Sequence, residues 1–171
     1  RLIKDDPLIC QTPGPVLIWS HLEMTTKSNK FKLKIEANLE NLSLIHSVVS
    51  EAMKQAKIDA AIIPRVLLAV DEACTNIAMY AYPEGKGYIR LACWLDHQDF
   101  VISIEDKGRP FDPCSVSLPT FDANLDDRKV GGLGIYFMRT FMDETSYKYD
   151  PRKGNQLTMR KHVGTDNRES L

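Results

Sequence analysis

At 171 residues the chain is long enough for one domain with a substantial core, and 43% hydrophobic with 26% charged residues is an ordinary globular balance. The formal net charge of −1 supplies no basic field, which argues against direct nucleic-acid binding or an anionic membrane partner. No apolar run approaches the roughly 20 residues that span a bilayer, and Cys10, Cys74, Cys93 and Cys114 form no Cys-x-x-Cys pair, so free thiols in a reducing cytoplasm fit better than zinc or a disulfide framework.

Residues 1–30 read as an extension or leader outside the core fold: proline, glycine and mixed apolar residues follow without period up to Met24, then a polar linker. The alternative for part of it is a short strand at 16–19 pairing with an exposed sheet edge. Residues 31–163 form the folded domain, and 164–171 a polar tail. Alternation from Phe31 to Ala37 predicts a half-buried strand, with Asn38 as a candidate cap. Leu42, Ile45, Val49, Met53 and Ala56 recur at helical spacing over 39–57. A second, central helix is capped by Asp59, carries Pro64 in its first turn and runs to about Tyr82, where Pro83 and Gly85 stop it. A hairpin of strands 88–95 and 100–105 follows, then a long loop to Val130, a third helix from Leu133 to about Phe141, and strands 144–149 and 156–162. Strands that cluster instead of alternating with helices predict a mainly antiparallel sheet with helices on one face, an α/β (α+β) sandwich.

Three polar features carry the chemistry. Glu72 and Asn76 stand four apart on the otherwise apolar central helix, so they share a face one turn apart. A carboxylate and an amide oxygen so placed can hold a hydrated Mg2+ and a polarised nucleophile side by side, although a solvated polar stripe has the same spacing. Asp106 and Gly108 close a strand: the carboxylate can accept from an exocyclic amine such as adenine N6, and the glycine lets backbone approach a flat base. Asp-x-Gly is also a common turn. Gly131, Gly132, Leu133 and Gly134 open the third helix, where free backbone N–H groups can receive phosphate oxygens. Neither a Rossmann nor a Walker glycine pattern occurs.

Together these residues resemble the N, G1 and G2 boxes of the Bergerat-fold ATPases, the superfamily of gyrase, MutL and the histidine kinases. The runs from Asp106 to Pro113 and from Gly131 to Ile135 most resemble the anti-sigma-factor serine kinases. The resemblance implies a mixed sheet with ATP held between helix and sheet, and a mobile ATP lid over 109–131. It implies Glu72 as general base, Asn76 as Mg2+ ligand, Asp106 as adenine anchor, and Gly108, Gly131, Gly132, Leu133 and Gly134 as nucleotide contacts. It also makes Arg128 and Lys129 candidate lid cations toward the phosphates, although taken alone they read most simply as solvated charges. The family often has Gly-Thr at the final hairpin, with the threonine near adenine; here Asn155 follows Gly154, and Thr158 three residues on is the candidate. The first helix carries no arginine of the kind used for partner binding.

The implied function is an ATP- and Mg2+-dependent serine/threonine kinase, a cytoplasmic homodimer acting as an anti-sigma factor on an anti-anti-sigma (STAS-type) partner and possibly a sigma factor. The alternatives are an ATP-gated module that sequesters its partner, and a detached histidine-kinase-type ATPase domain.

Overall fold

The computed structural model describes residues 30–116 and 133–164. Residues 1–29 and 165–171, with the proposed extension and most of the polar tail, lie outside the described residues, as does segment 117–132.

Five strands, β1 (Lys30–Glu36), β2 (Tyr88–Asp96), β3 (Asp99–Asp106), β4 (Glu144–Asp150) and β5 (Gly154–His162), form one sheet in the order β1-β2-β3-β5-β4. Every pairing is antiparallel, so no parallel pair stands among the described strands, in place of the mixed sheet implied by the resemblance. Among the described residues three α-helices, α1 (Leu42–Gln55), α2 (Ile63–Asn76) and α3 (Leu133–Phe141), cover one face.

Side chains alternate across each strand, and this sorts the sheet into two faces. On the helix face, Ile102 pairs with Cys93 and Met159, and Ile104 with Leu91 and Leu157, all buried. They meet Ile45, Val49 and Met53 of α1, Val66 and Val70 of α2, and Ile135 and Met138 of α3. The other face carries Arg90, Trp94, Ser103 and Gln156, with the Lys30 ammonium 3.7 Å from the centre of the Trp94 ring.

Local chemistry explains most element ends. The Asn38 side chain accepts from Asn41 N at 3.0 Å and caps a short 3-10 turn (Leu39–Asn41) that leads into α1. Asp59 does cap, but a preceding turn: its Oδ1 accepts from Ala61 N at 2.8 Å, and α2 starts only at Ile63, with Pro64 in its first turn. The helix foreseen as continuous to Tyr82 changes character after Asn76, where residues Ile77–Ala81 form a π turn. Such wider turns tend to sit at functional sites.

Candidate functional site

A cavity of about 510 Å3 opens between the end of α2, the first turns of α3 and the end of the sheet. That size falls in the range of small-molecule and cofactor pockets. Its walls are mainly apolar, among them Ala73, Ile77, Ile104, Met138 and Leu157, and its polar lining residues are Asn76, Tyr80, Asp106, Arg109, Tyr147 and Asn155.

Asp106 is the last residue of β3 and is only 7% exposed. Its Oδ1 accepts from Gly108 N at 2.7 Å and from the Asn155 side-chain amide at 2.9 Å. Neither bond uses Oδ2. Burial pushes the carboxyl above the usual aspartate range, against the two hydrogen bonds, which favour the ionised form. The site therefore holds a carboxylate with one oxygen saturated and one available to a donor on a ligand.

The loop leaving β3 is fastened to the π turn. Arg109 N donates to Ala81 O at 2.9 Å, and a Cβ on Gly108 would run into the Ala81 backbone. Lys107 N donates to the Tyr82 hydroxyl at 2.7 Å, and that hydroxyl donates to Tyr88 O at 3.3 Å. Tyr82 thus bridges the start of the hairpin and its end, with its ring lying on Gly87.

Asn76 lines the cavity, whereas Glu72, one turn back, stands beyond its wall. The half-buried Glu72 carboxylate lies against Gly134 in the first turn of α3, in the space a side chain there would need. Among the described residues no hydrogen bond or ion pair occupies it. α2 and α3 therefore set Glu72 against Gly134, with Asn76 one turn on in the cavity wall, and β3 places Asp106 in the same wall with Gly108 N on its Oδ1. Leu133 begins α3 beside Gly134. Gly131, Gly132, Arg128 and Lys129 lie outside the described residues.

Thr158 is a correction. It stands opposite Ser103 on β5 and turns to the face away from the helices, so it does not reach the cavity. Asn155 takes the position: it pairs with Asp106 in register and donates to it. It is brought there by Gly154, whose φ of 94° is a left-handed conformation and whose missing Cβ leaves room for Asp106 O. Tyr147, also absent from the sequence-based set, faces the same cavity from β4 and donates to Asn155 Oδ1 at 2.7 Å. The sequence signal for Asn155 was its place directly after the hairpin glycine; Tyr147 had none.

A cavity between helices and an antiparallel sheet, lined by a buried carboxylate and by residues from the first turns of a helix, defines an α/β-sandwich domain with room for a small-molecule ligand. Comparison with known families agrees: the model of the histidine kinase-like ATPase domain matches residues 35–161, and the chain belongs to this family. Its ligand is accordingly ATP. An anti-sigma F factor from Thermoanaerobacter sp. (strain X514) is 27% identical over 140 residues, covering 81% of this chain and 97% of that protein. A serine-protein kinase RsbW from Staphylococcus aureus (strain JH9) is 30% identical over 147 residues, 82% of this chain and 91% of that one. The fold is also similar to a crystal structure of RsbU and RsbW domains from Mycobacterium tuberculosis, with a TM-score of 0.54 at 16% identity, over 77% of this chain and 32% of that chain. No helix among the described residues is long and apolar enough to cross a membrane.

Proposed function

We propose that the chain is an ATP- and Mg2+-dependent serine/threonine protein kinase with an anti-sigma role, phosphorylating an anti-anti-sigma (STAS-type) protein. The observation that carries this reading is the placement of Glu72: a carboxylate with no hydrogen bond or ion pair among the described residues, set against Gly134 in the first turn of α3 and one turn from Asn76 in the cavity wall. A domain that only sensed the nucleotide would need Asp106 and Asn76 but not a free base. The names borne by the relatives, anti-sigma F factor and serine-protein kinase RsbW, point the same way.

Phosphoryl transfer needs positioning and charge neutralisation more than covalent help. Asp106 would orient the base of ATP through N6, and the apolar walls would exclude water from it. The start of α3 would direct backbone N–H groups at the phosphates, the arrangement that makes helix N-termini anion sites. Glu72 would take the proton of the incoming serine or threonine hydroxyl. Mg2+ commonly takes one or two protein oxygens with the rest from phosphate and water, so a single amide oxygen in the cavity wall would be enough to hold it. Asn76 is the oxygen ligand on offer, and the ion would neutralise charge developing on the phosphoryl oxygens. Buried Cys74 and Cys93 are free thiols, Cys93 pushed up to about 12 by burial, which suits a cytoplasmic protein. A homodimer and a bound sigma factor complete the proposal.

The test is incubation with γ-labelled ATP, Mg2+ and a purified STAS-type partner. Label on a serine or threonine of the partner, lost in Glu72→Gln while Mg-ATP still binds, is the expected result. A wild-type protein that binds the partner only with ATP present, yet transfers no label, is a sequestering module and not a kinase.

A further inference from the structure

Asp106 faces the cavity with one free oxygen, and what that oxygen recognises depends on whether it carries a proton. An ionised Oδ2 accepts from an amino group, as on C6 of adenine; a protonated one donates to a carbonyl, as on C6 of hypoxanthine or guanine. Burial favours the protonated form, so something must hold the carboxyl ionised if the site is to choose adenine. Two donors on Oδ1 do this, the Gly108 N–H and the Asn155 amide.

The Gly108 donor is backbone and fixed, but the Asn155 amide could rotate and present its oxygen instead. Its nitrogen faces acceptors alone: Asp106 Oδ1 at 2.9 Å, Gly108 O at 3.1 Å and Arg109 O at 3.4 Å. Its oxygen receives the Tyr147 hydroxyl at 2.7 Å. We propose that Tyr147 is a positioning residue for base selection: through its hydroxyl it locks the Asn155 amide with nitrogen toward Asp106, and so keeps Asp106 an acceptor that prefers adenine over 6-oxopurines. Tyr147 need not touch the base to do this. Without its hydroxyl, Asn155 Oδ1 loses its partner in a residue only 5% exposed, and the amide gains a reason to turn. The inference rests on the nucleotide reading of the cavity and adds to it what sets the selectivity.

The experiment measures dissociation constants of the full chain for Mg-ATP and Mg-ITP, the second carrying a carbonyl where the first has the amino group. Wild type should prefer ATP. Tyr147→Phe, nearly isosteric, should keep its melting temperature within a few degrees and narrow the ATP-to-ITP preference by roughly fivefold, the scale of one ordinary hydrogen bond. Asn155→Ala should narrow it further, and adding Tyr147→Phe to Asn155→Ala should change nothing, because the tyrosine acts through the amide. A Tyr147→Phe protein that binds both nucleotides more weakly by the same factor, or that keeps the wild-type ratio, overturns the inference and leaves the nucleotide reading standing. A wild-type chain that binds neither nucleotide overturns both.

Discussion

Gly134→Ala separates the kinase reading from a structural role for Glu72. A Cβ built on Gly134 falls on the Glu72 carboxylate, and lies 2.9 Å from its Cδ and 3.3 Å from its Cβ. No backbone atom is among these nearest neighbours, so the flexible glutamate gives way and α3 stays in place. A strained rotamer at Glu72 costs about 0.5–1.5 kcal/mol. Against this, alanine is favoured over glycine within a helix by about 0.5–1 kcal/mol. The two nearly cancel, and the melting temperature should move by no more than a few degrees. The backbone N–H of residue 134 survives, as do Asn76 and Asp106, so Mg-ATP affinity should change by less than about threefold, well under 1.4 kcal/mol, by the arithmetic of binding. Phosphotransfer to the partner should fall by about 100-fold or more, the scale of lost general-base help. The assay is single-turnover transfer from γ-labelled ATP, with nucleotide binding measured separately. Combined with Glu72→Gln, Gly134→Ala should add little, since both remove the same group. Wild-type transfer by a folded Gly134→Ala protein would refute the reasoning, and so would an equal loss of ATP binding and transfer.

Asp106→Asn keeps an oxygen for Gly108 N and Asn155 but replaces the free carboxylate oxygen by an N–H2 donor; ATP should bind at least tenfold more weakly by calorimetry, since a hydrogen bond to a charged group is worth about 1.5–3 kcal/mol. ATP affinity of the wild type should fall on acidification through a pKa above the usual 3.8, because the protonated carboxyl no longer accepts from N6, and Asp106→Asn should flatten this profile. The facing tyrosines, Tyr82 and Tyr147, are both pushed up by burial and stay neutral across that range. The same raised pKa means that ionised Asp106 costs folding stability: the cost is absent below 3.8 and grows as pH rises through the folded-state value, so the ligand-free domain should not gain stability from this group on neutralisation. Gly108→Ala should destabilise by roughly 1–3 kcal/mol and weaken ATP together, because its Cβ meets the Ala81 backbone, which cannot swing aside; thermal melting and calorimetry on one preparation check both.

Periodicity alone established a great deal here. The alternation of Phe31, Leu33 and Ile35, the helical spacing of Ile45, Val49 and Met53, and the glycine and proline stops placed the elements in their observed order, because each signal is local. Glu72 with Asn76, and Asp106 with Gly108, were legible for the same reason: four residues on a helix and two at a strand end fix relative geometry without knowledge of the rest of the chain.

What the sequence could not supply was anything decided between elements. Thr158 and Asn155 both lay near the final hairpin, and which one faces the cavity depends on register. Positions three apart in a strand point to opposite faces, so once Asn155 pairs with Asp106, Thr158 must turn away. Tyr147 is brought to Asn155 only by the β4–β5 pairing, eight residues along the chain and across a turn. The π turn at Ile77–Ala81 keeps the helical run of apolar residues that the sequence shows, and its end is met by Arg109 N, which donates to Ala81 O from the loop after β3. Residue identity along one element thus determined the chemistry on offer, and the pairing of distant strands decided which groups meet, because a hydrogen bond depends on ångström-scale register that no local pattern encodes.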